Sequence, residues 1–493
     1  MHIVNRVILI SGLFFSCLVA QAQEEQITSS IHKNEVEASI RFLASDELKG
    51  RDTGSPELDI AARFIAAQME SYGVKEVEGA DGYFQAVYLL RQEPAKEASL
   101  SYGNQSLSLM EDLLVLQGKN GELSGETIYL NFGTEEDFEG EDIAGKIIVV
   151  KAGLPGVSSS TGFIGAGQEK LQRVQEGGGE GMIELYKSNQ IPWNLLVRYM
   201  NAERLTLSEG SADDRAMPYF LVNDPENVHI DAFESGSAEV EMQVSGKVDE
   251  EIISQNVIGV VEGSDPNLKN EYILLSAHYD HVGVAEGKNL EDSIYNGARD
   301  NAIGIASMIS AAKYFGQNPP KRSVLFLAVT AEEKGLLGSQ WYVEHPLIPM
   351  NQVVFNLNTD GAGYNDTTVV TAIGLGRTSA DAQIEAAAQA VGLKAIADPV
   401  PEQNLFDRSD NVNFAKLGVP AVTFAPGITA FDAEIMKYYH QLADEADSMN
   451  FDYVEKVCEA FVIAADKIAN TEQNPFWKEG DKYESAGKEL YAQ

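Results

Sequence analysis

Tyr272-Ile273-Leu274-Leu275-Ser276-Ala277-His278-Tyr279-Asp280 is the stretch that decides how this chain folds. Its apolar run is continuous, not alternating, and it stops at a histidine and an aspartate. Residues 324–329, 353–357 and 421–425 are runs of the same kind, and residues 303–315 and 384–391 between them read as helices. Strands that are apolar on both sides imply a sheet covered on both faces. The expected fold class is therefore α/β, with strand and helix repeating from about residue 256 onward.

Toward the N-terminus, residues 36–44 carry apolar positions at helical spacing. Ser55-Pro56-Glu57 then supplies a cap, a first-turn proline and an acidic residue for a second helix, which Gly73 closes. Residues 83–90 alternate like a strand. Between about 110 and 240 the character changes: strand-like pieces such as residues 147–150 are separated by glycine-rich and acidic turns, among them Gly177-Gly178-Gly179. A β-rich insert thus splits the α/β core. The tail from about Asn470 is polar apart from Trp477 and is expected to pack loosely or wrap the surface.

Arg6 precedes an apolar stretch, residues 7–20, that is short for a bilayer span. Ala20-Gln21-Ala22 follows as a small-x-small cleavage pattern, so residues 1–22 read as a secretory signal peptide. The expected location is exported, periplasmic or extracellular. Phe14-Phe15-Ser16 before Cys17 fits a lipid anchor badly. Cys458 is the one remaining cysteine, so no internal disulfide is expected after cleavage, and no later apolar run approaches membrane-spanning length. Lys+Arg 36 against Asp+Glu 75 gives a formal net charge of −39, which repels nucleic acid and anionic membrane surfaces. Oligomeric state is not legible.

Ligands in open α/β sheets collect at the carboxyl ends of strands, and polar residues at such ends recur here: His278 and Asp280, Glu332-Glu333 and Asp360. Asp300 and His440 stand outside strand ends, with Asp410 a weaker addition. Each has a bland alternative. His278 fits a capping histidine beside a turn, and His281 faces solvent or supports a neighbour. Asp300, before the helix from Ala302, fits an N-cap, and Glu332-Glu333 fit a helix start. Asp360 fits a turn, and His440 fits a core histidine under Tyr438-Tyr439. The set is more specific than its members. Three carboxylates (Asp300, Glu333, Asp360) with a bridging hydroxide balance two divalent cations roughly 3.5–4 Å apart, and neutral His278 and His440 complete the shells. Nitrogen and oxygen donors without thiolate suit Zn2+, with Co2+ or Mn2+ as substitutes. Asp280 is placed to orient the His278 ring, and a carboxylate beside a ligand is placed as general base.

His278-Tyr279-Asp280, Gly297-Ala298-Arg299-Asp300-Asn301, Thr330-Ala331-Glu332-Glu333, Asn358-Thr359-Asp360 and Tyr439-His440 together resemble the signature series of the di-zinc aminopeptidase family. That family includes secreted bacterial leucyl aminopeptidases and glutamate carboxypeptidase. The resemblance covers residues 50–73 and about 255–470. It implies a three-layer zinc exopeptidase core with a mostly parallel, mixed sheet. The peptidase domain would comprise residues 23–110 and 241–470, with 111–240 as the insert and 471–493 as the tail. The insert resembles a protease-associated domain at residues 144–150 and 181–183. The family implies that His278 and Asp360 hold one zinc, that Glu333 and His440 hold the other, and that Asp300 bridges them. Glu332 would be general base and acid for a zinc-bridging hydroxide attacking a peptide, Asp280 would orient His278, and Tyr439 would hold the oxyanion. The Asp300-Asn301 peptide would be cis.

The chain departs from the family at Ser409-Asp410-Asn411, where Ser-Asp-His is frequent, which leaves Asp410 structural or near the substrate. Aminopeptidase action on peptides is the expectation. The alternatives are a carboxypeptidase or dipeptidase of the same family, for which Arg408 is the one basic candidate near a motif, a glutaminyl cyclase-like enzyme, and a non-catalytic binding protein.

Overall fold

The computed structural model describes residues 21–155, 160–187, 191–208, 217–236, 238–285 and 292–492, so most of the expected signal peptide lies outside the described residues. The chain divides into two units, one running to Val87 and resuming at Ile253, the other spanning Tyr88–Ile252.

Four parallel strands form the centre of the first unit: β1 (Tyr272–His278), β2 (Ser323–Val329), β3 (Val353–Thr359) and β4 (Ala421–Pro426). β1 pairs with β2 on one side and β3 on the other, and β4 lies beyond β3. Val369–Ile373 runs antiparallel to β4, and Val248–Val261 runs antiparallel to β2, so the sheet is mixed as expected. β2 and β3 are buried at every residue. That is why neither sequence alternates with a solvent face: β2 is apolar after Ser323, and Asn356, Asn358 and Thr359 of β3 are themselves buried.

Alternation still operates inside those runs. Ile273, Leu275 and Ala277 of β1 join Phe326 of β2 in one core, against Leu58 and Ile65 of α1 (Pro56–Ser71), Ile305 and Met308 of α2 (Ile303–Gln317) and Phe461 of α3 (Phe451–Ala469). Leu274, Leu325 and Leu327 point the other way, to Tyr342 and Phe414. Helices therefore cover both faces, giving three layers. Each fully buried aliphatic side chain contributes about 1.5–3 kcal/mol. The Ser55 side chain accepts from Leu58 N at 3.1 Å, capping α1, and Gly73 at φ +83° ends it.

The second unit begins earlier and ends later than the expected 111–240. Its strand Glu97–Tyr102 pairs with Glu239–Ser245, Tyr102 opposite Val240, so the ladder itself carries both boundaries outward. Ile147–Lys151, Gly181–Tyr186 and Tyr219–Asn223 are parallel neighbours in its mixed sheet. Behind them Lys170 is fully buried, and its ammonium donates to Glu184 at 2.7 Å and to the Lys151 and Gly153 carbonyls at 2.8 and 2.7 Å.

The tail does not pack loosely. Trp477 is 4% exposed and donates from Nε1 to Gly418 O at 3.0 Å, Arg377 pairs with Asp481 at 2.7 Å, and Glu484–Leu490 is helical. A large aromatic seated between Phe406 and Tyr483 anchors an otherwise polar segment.

Candidate metal centre

Because β1, β2 and β3 are parallel and adjacent, their carboxyl ends fall side by side. His278 ends β1, Asp360 follows β3, and Glu332-Glu333 follow β2. The His278 Nε2 atom lies 3.2 Å from Asp360 Oδ1 and 3.2 Å from Asp300 Oδ1. The second oxygen of Asp300 lies 3.2 Å from His440 Nε2, which is 3.1 Å from Glu333 Oε2. Asp300 thus presents one oxygen to each imidazole. The Asp300-Asn301 peptide is cis.

Ala331 and His440 both adopt left-handed backbone, at φ +55° and +52°. Non-glycine residues there are strained, and such strain gathers at functional sites. The Ala331 turn sends the two glutamates apart. Glu332 groups with His278 and Asp360, whereas Glu333 groups with His281 and Asp300, each set offering donor atoms within 4.8 Å of one another.

One expectation is narrowed at this point and another changes. His281 does not face solvent: it is fully buried, with Nδ1 at 2.7 Å from Glu333 Oε1. Asp280 does not orient His278 through its carboxylate, which lies 3.8 Å from Nδ1; the nearer acceptor is the Asp280 backbone carbonyl at 3.1 Å. The Asp280 carboxylate instead accepts the amides of Glu332 and Glu333 at 3.1 and 3.2 Å and the Thr53 hydroxyl at 3.2 Å. It holds the glutamate turn in place.

Asp410 stands outside both donor groups. Ser339 donates to it at 2.5 Å, it is fully buried, and that burial pushes its carboxyl up to about 7. Its place is a structural tie between the helices Leu337–Glu344 and Asn411–Leu417.

Electrostatics mark the cluster as one that wants cations. Burial raises Glu332 well above the carboxylate range, and Asp360, Asp410 and Glu333 add to it while His278 opposes. Burial would lower the His440 imidazole, but Asp300 and Glu333 overcome this and lift it to about 10. Burial also opposes ionisation of Asp300, yet the imidazoles hold it far below its usual range. Carboxylates packed this densely out of water need positive charge among them. Oxygen and nitrogen donors without thiolate, one carboxylate facing two imidazoles, fit divalent zinc.

Asp444 escaped the sequence reading. Its carboxylate accepts the Arg299 amide at 3.0 Å on both oxygens and the Asp300 amide at 3.2 Å, fixing the peptide that carries Asp300. The signal available was an aspartate four residues after His440. Support of this kind is worth 10–100-fold in metal affinity. Asp444→Ala is therefore expected to weaken zinc binding by about that factor. Competition with a chromophoric chelator measures it, and unchanged affinity would remove Asp444 from the site.

A cavity of about 400 Å³ opens over this cluster. Asp300, Glu332, Glu333 and Asp360 form its acidic floor, and Leu336, Ile373, Leu405, Ile428 and Phe431 supply apolar wall. Tyr439 also lines it, its ring stacked on His440 at 4.2 Å. Burial raises the Tyr439 phenol, and Asp300 adds to that, so it stays protonated.

Residues 256–465 match Peptidase family M28. The domain belongs to that family. The printed description is that of a peptidase family, and the donor groups within the matched stretch are of a kind that could hold metal. Vacuolar membrane proteases of Candida dubliniensis and Saccharomyces cerevisiae are 38% and 34% identical over 111 and 110 residues. Each alignment covers 22% of this chain and 10% of the relative. The chain spans about a tenth of the length of the curated relatives it matches. Among solved structures, the aminopeptidase from Aneurinibacillus sp. strain AM-1 shares the fold of the M28 domain and its insert. It superposes with TM-score 0.58 at 21% identity, covering 92% of this chain and 97% of that one. The yeast relatives also correct the expected location: they are proteases of a vacuolar membrane, which overturns bacterial export as the reading of the leader. Among the described residues no helix is long and apolar enough to cross a membrane.

Proposed function

We propose that this chain is a zinc-dependent aminopeptidase that removes apolar N-terminal residues from peptides. One observation carries the reading: the Asp300 carboxylate is shared between His278 and His440 at 3.2 Å each, with Glu332 beside the first imidazole and Tyr439 beside the second. His278 and Asp360 would hold one zinc, Glu333 and His440 the other, and Asp300 both. Bound zinc would supply Lewis acidity toward the scissile carbonyl and acidify water.

The chain's own residues do the rest. Glu332 accepts a proton from the attacking water and returns it to the departing amine. Tyr439, whose hydroxyl oxygen already accepts from Arg408, has its own proton free to donate toward the developing oxyanion. Asp280 keeps Glu332 and Glu333 aimed through their amides, and His281 steadies Glu333. The acidic floor attracts the free α-ammonium of a peptide, which favours an aminopeptidase over a carboxypeptidase. The apolar wall takes the first side chain.

Leucine p-nitroanilide is expected to be cleaved, and the lysine and glutamate analogues at least about tenfold more slowly. Chelation should abolish the activity, and added zinc should restore it. Cleavage that persists without metal, or confinement to N-acylated peptides, would rule the reading out.

A further inference from the structure

Arg408 is the one arginine or lysine among the described residues that line the cavity. Its setting leaves it available. Asp407, its chain neighbour, is engaged by Lys482, both carboxylate oxygens lying 2.8 Å from Nζ. Lys334, beside Glu333, is occupied by Asp52 at 2.7 Å. Among the described residues no carboxylate lies within ion-pairing distance of Arg408. Its one side-chain hydrogen bond among the described residues runs from Nη2 to Tyr439 Oη at 2.9 Å. A guanidinium has five N–H donors in a fork shaped for carboxylates, so most of the capacity of this exposed side chain is without a protein partner among the described residues.

The location of that fork is informative. Tyr439 is the phenol that faces the scissile carbonyl under the aminopeptidase reading, and Arg408 is the next group beyond it. One residue of extended chain spans about 3.3–3.6 Å, and a charge-assisted bond adds about 2.8 Å. A carboxylate carried by the residue just past the scissile bond therefore reaches Arg408 while Tyr439 keeps the carbonyl. An internal peptide linkage at that place offers no negative charge to pair.

We propose that Arg408 is a specificity residue that binds a substrate carboxylate one residue beyond the scissile bond and so favours dipeptides with a free C-terminus. This rests on the aminopeptidase reading. An acidic side chain on that residue presents the same chemistry, so the test separates the two sources.

Hydrolysis of Leu-Gly, Leu-Gly-amide and Leu-Glu-amide would be compared in the wild type and in Arg408→Gln. The free acid should exceed the plain amide in kcat/KM by about 10–100-fold, and Arg408→Gln should collapse that ratio toward one. A role limited to holding Tyr439 would slow all three substrates alike and leave the ratio intact, which would overturn the proposal. Preference for Leu-Glu-amide with none for Leu-Gly would reassign the site to an acidic side chain and overturn the dipeptide assignment. Calorimetric binding of Leu-Gly and Leu-Gly-amide to zinc-loaded Glu332→Gln, with and without Arg408→Gln, reads the same ratio without turnover. Equal affinities there would overturn the proposal even if catalysis failed. Cleavage of leucine p-nitroanilide with no acid preference would sink the Arg408 inference alone, whereas no cleavage of any amide would sink the aminopeptidase reading.

Discussion

Glu332→Gln is expected to lower kcat/KM by about 10²–10⁴-fold, the usual worth of a positioned general base, while zinc content stays at the wild-type level. The two readouts matter together because Glu332 lies in one donor group with His278 and Asp360. A base and a ligand are both carboxylates at that distance, and only their losses differ. Glutamine keeps the shape and removes proton transfer, so a base loses rate and keeps metal. A ligand would lose metal first, visible by elemental analysis after gel filtration. The wild-type backbone around Glu332 should survive the change, since Asp280 holds it through amides that the side chain does not touch. Loss of zinc would transfer Glu332 to the ligand set, and near-normal turnover would remove it from the mechanism.

Arg51→Met is expected to cost about 3–5 kcal/mol of stability, the scale of leaving several buried hydrogen-bond acceptors without their donor. Arg51 is completely buried, and its guanidinium donates to the carbonyls of Tyr279 at 2.8 Å, Asn296 at 2.6 Å, Gly297 at 3.0 Å and Leu43. Burial pulls its pKa down to about 10, with Asp280, Asp444 and Asp300 opposing, so it remains a cation at neutral pH. Three of those carbonyls belong to the strand end after His278 and the turn before Asp300. The preceding residue admits no side chain, because a Cβ on Gly50 would come within 2.3 Å of Gly283 O. Methionine would fill the volume and leave the carbonyls unpaired. Lysine should not rescue, since a single ammonium cannot match the fork. Urea denaturation of the zinc-loaded protein measures the loss, and a change under about 1 kcal/mol would refute this account.

Much of this was readable from the chain. The continuous apolar runs anticipated β1 to β4, because a strand buried on both faces has no solvent side to mark with polar residues. Ser55-Pro56 anticipated the start of α1 because capping chemistry is local. The runs stopped at His278 and ahead of Glu332-Glu333 and Asp360, and parallel pairing brought those ends together. The insert boundaries were misplaced because a strand such as Glu97–Tyr102 is defined by its partner at Glu239–Ser245, not by its own pattern. Which of the two settings open to His281 applies was illegible for a related reason. One histidine after an aspartate carries no mark of the Glu333 oxygen that meets it 52 residues away.

What the sequence determined by itself was the sheet, its covering helices and the order of donor residues, since periodicity, capping and the identity of strand-end residues are local properties. The tertiary structure alone decided which oxygen faces which imidazole, that Asp280 secures the glutamates instead of the His278 ring, and that Arg51 and Asp444 brace the site from 228 and 145 residues away. Those contacts are set by packing across the sheet. Sequence separation of that length leaves no periodic trace, so they appear only once the chain is folded.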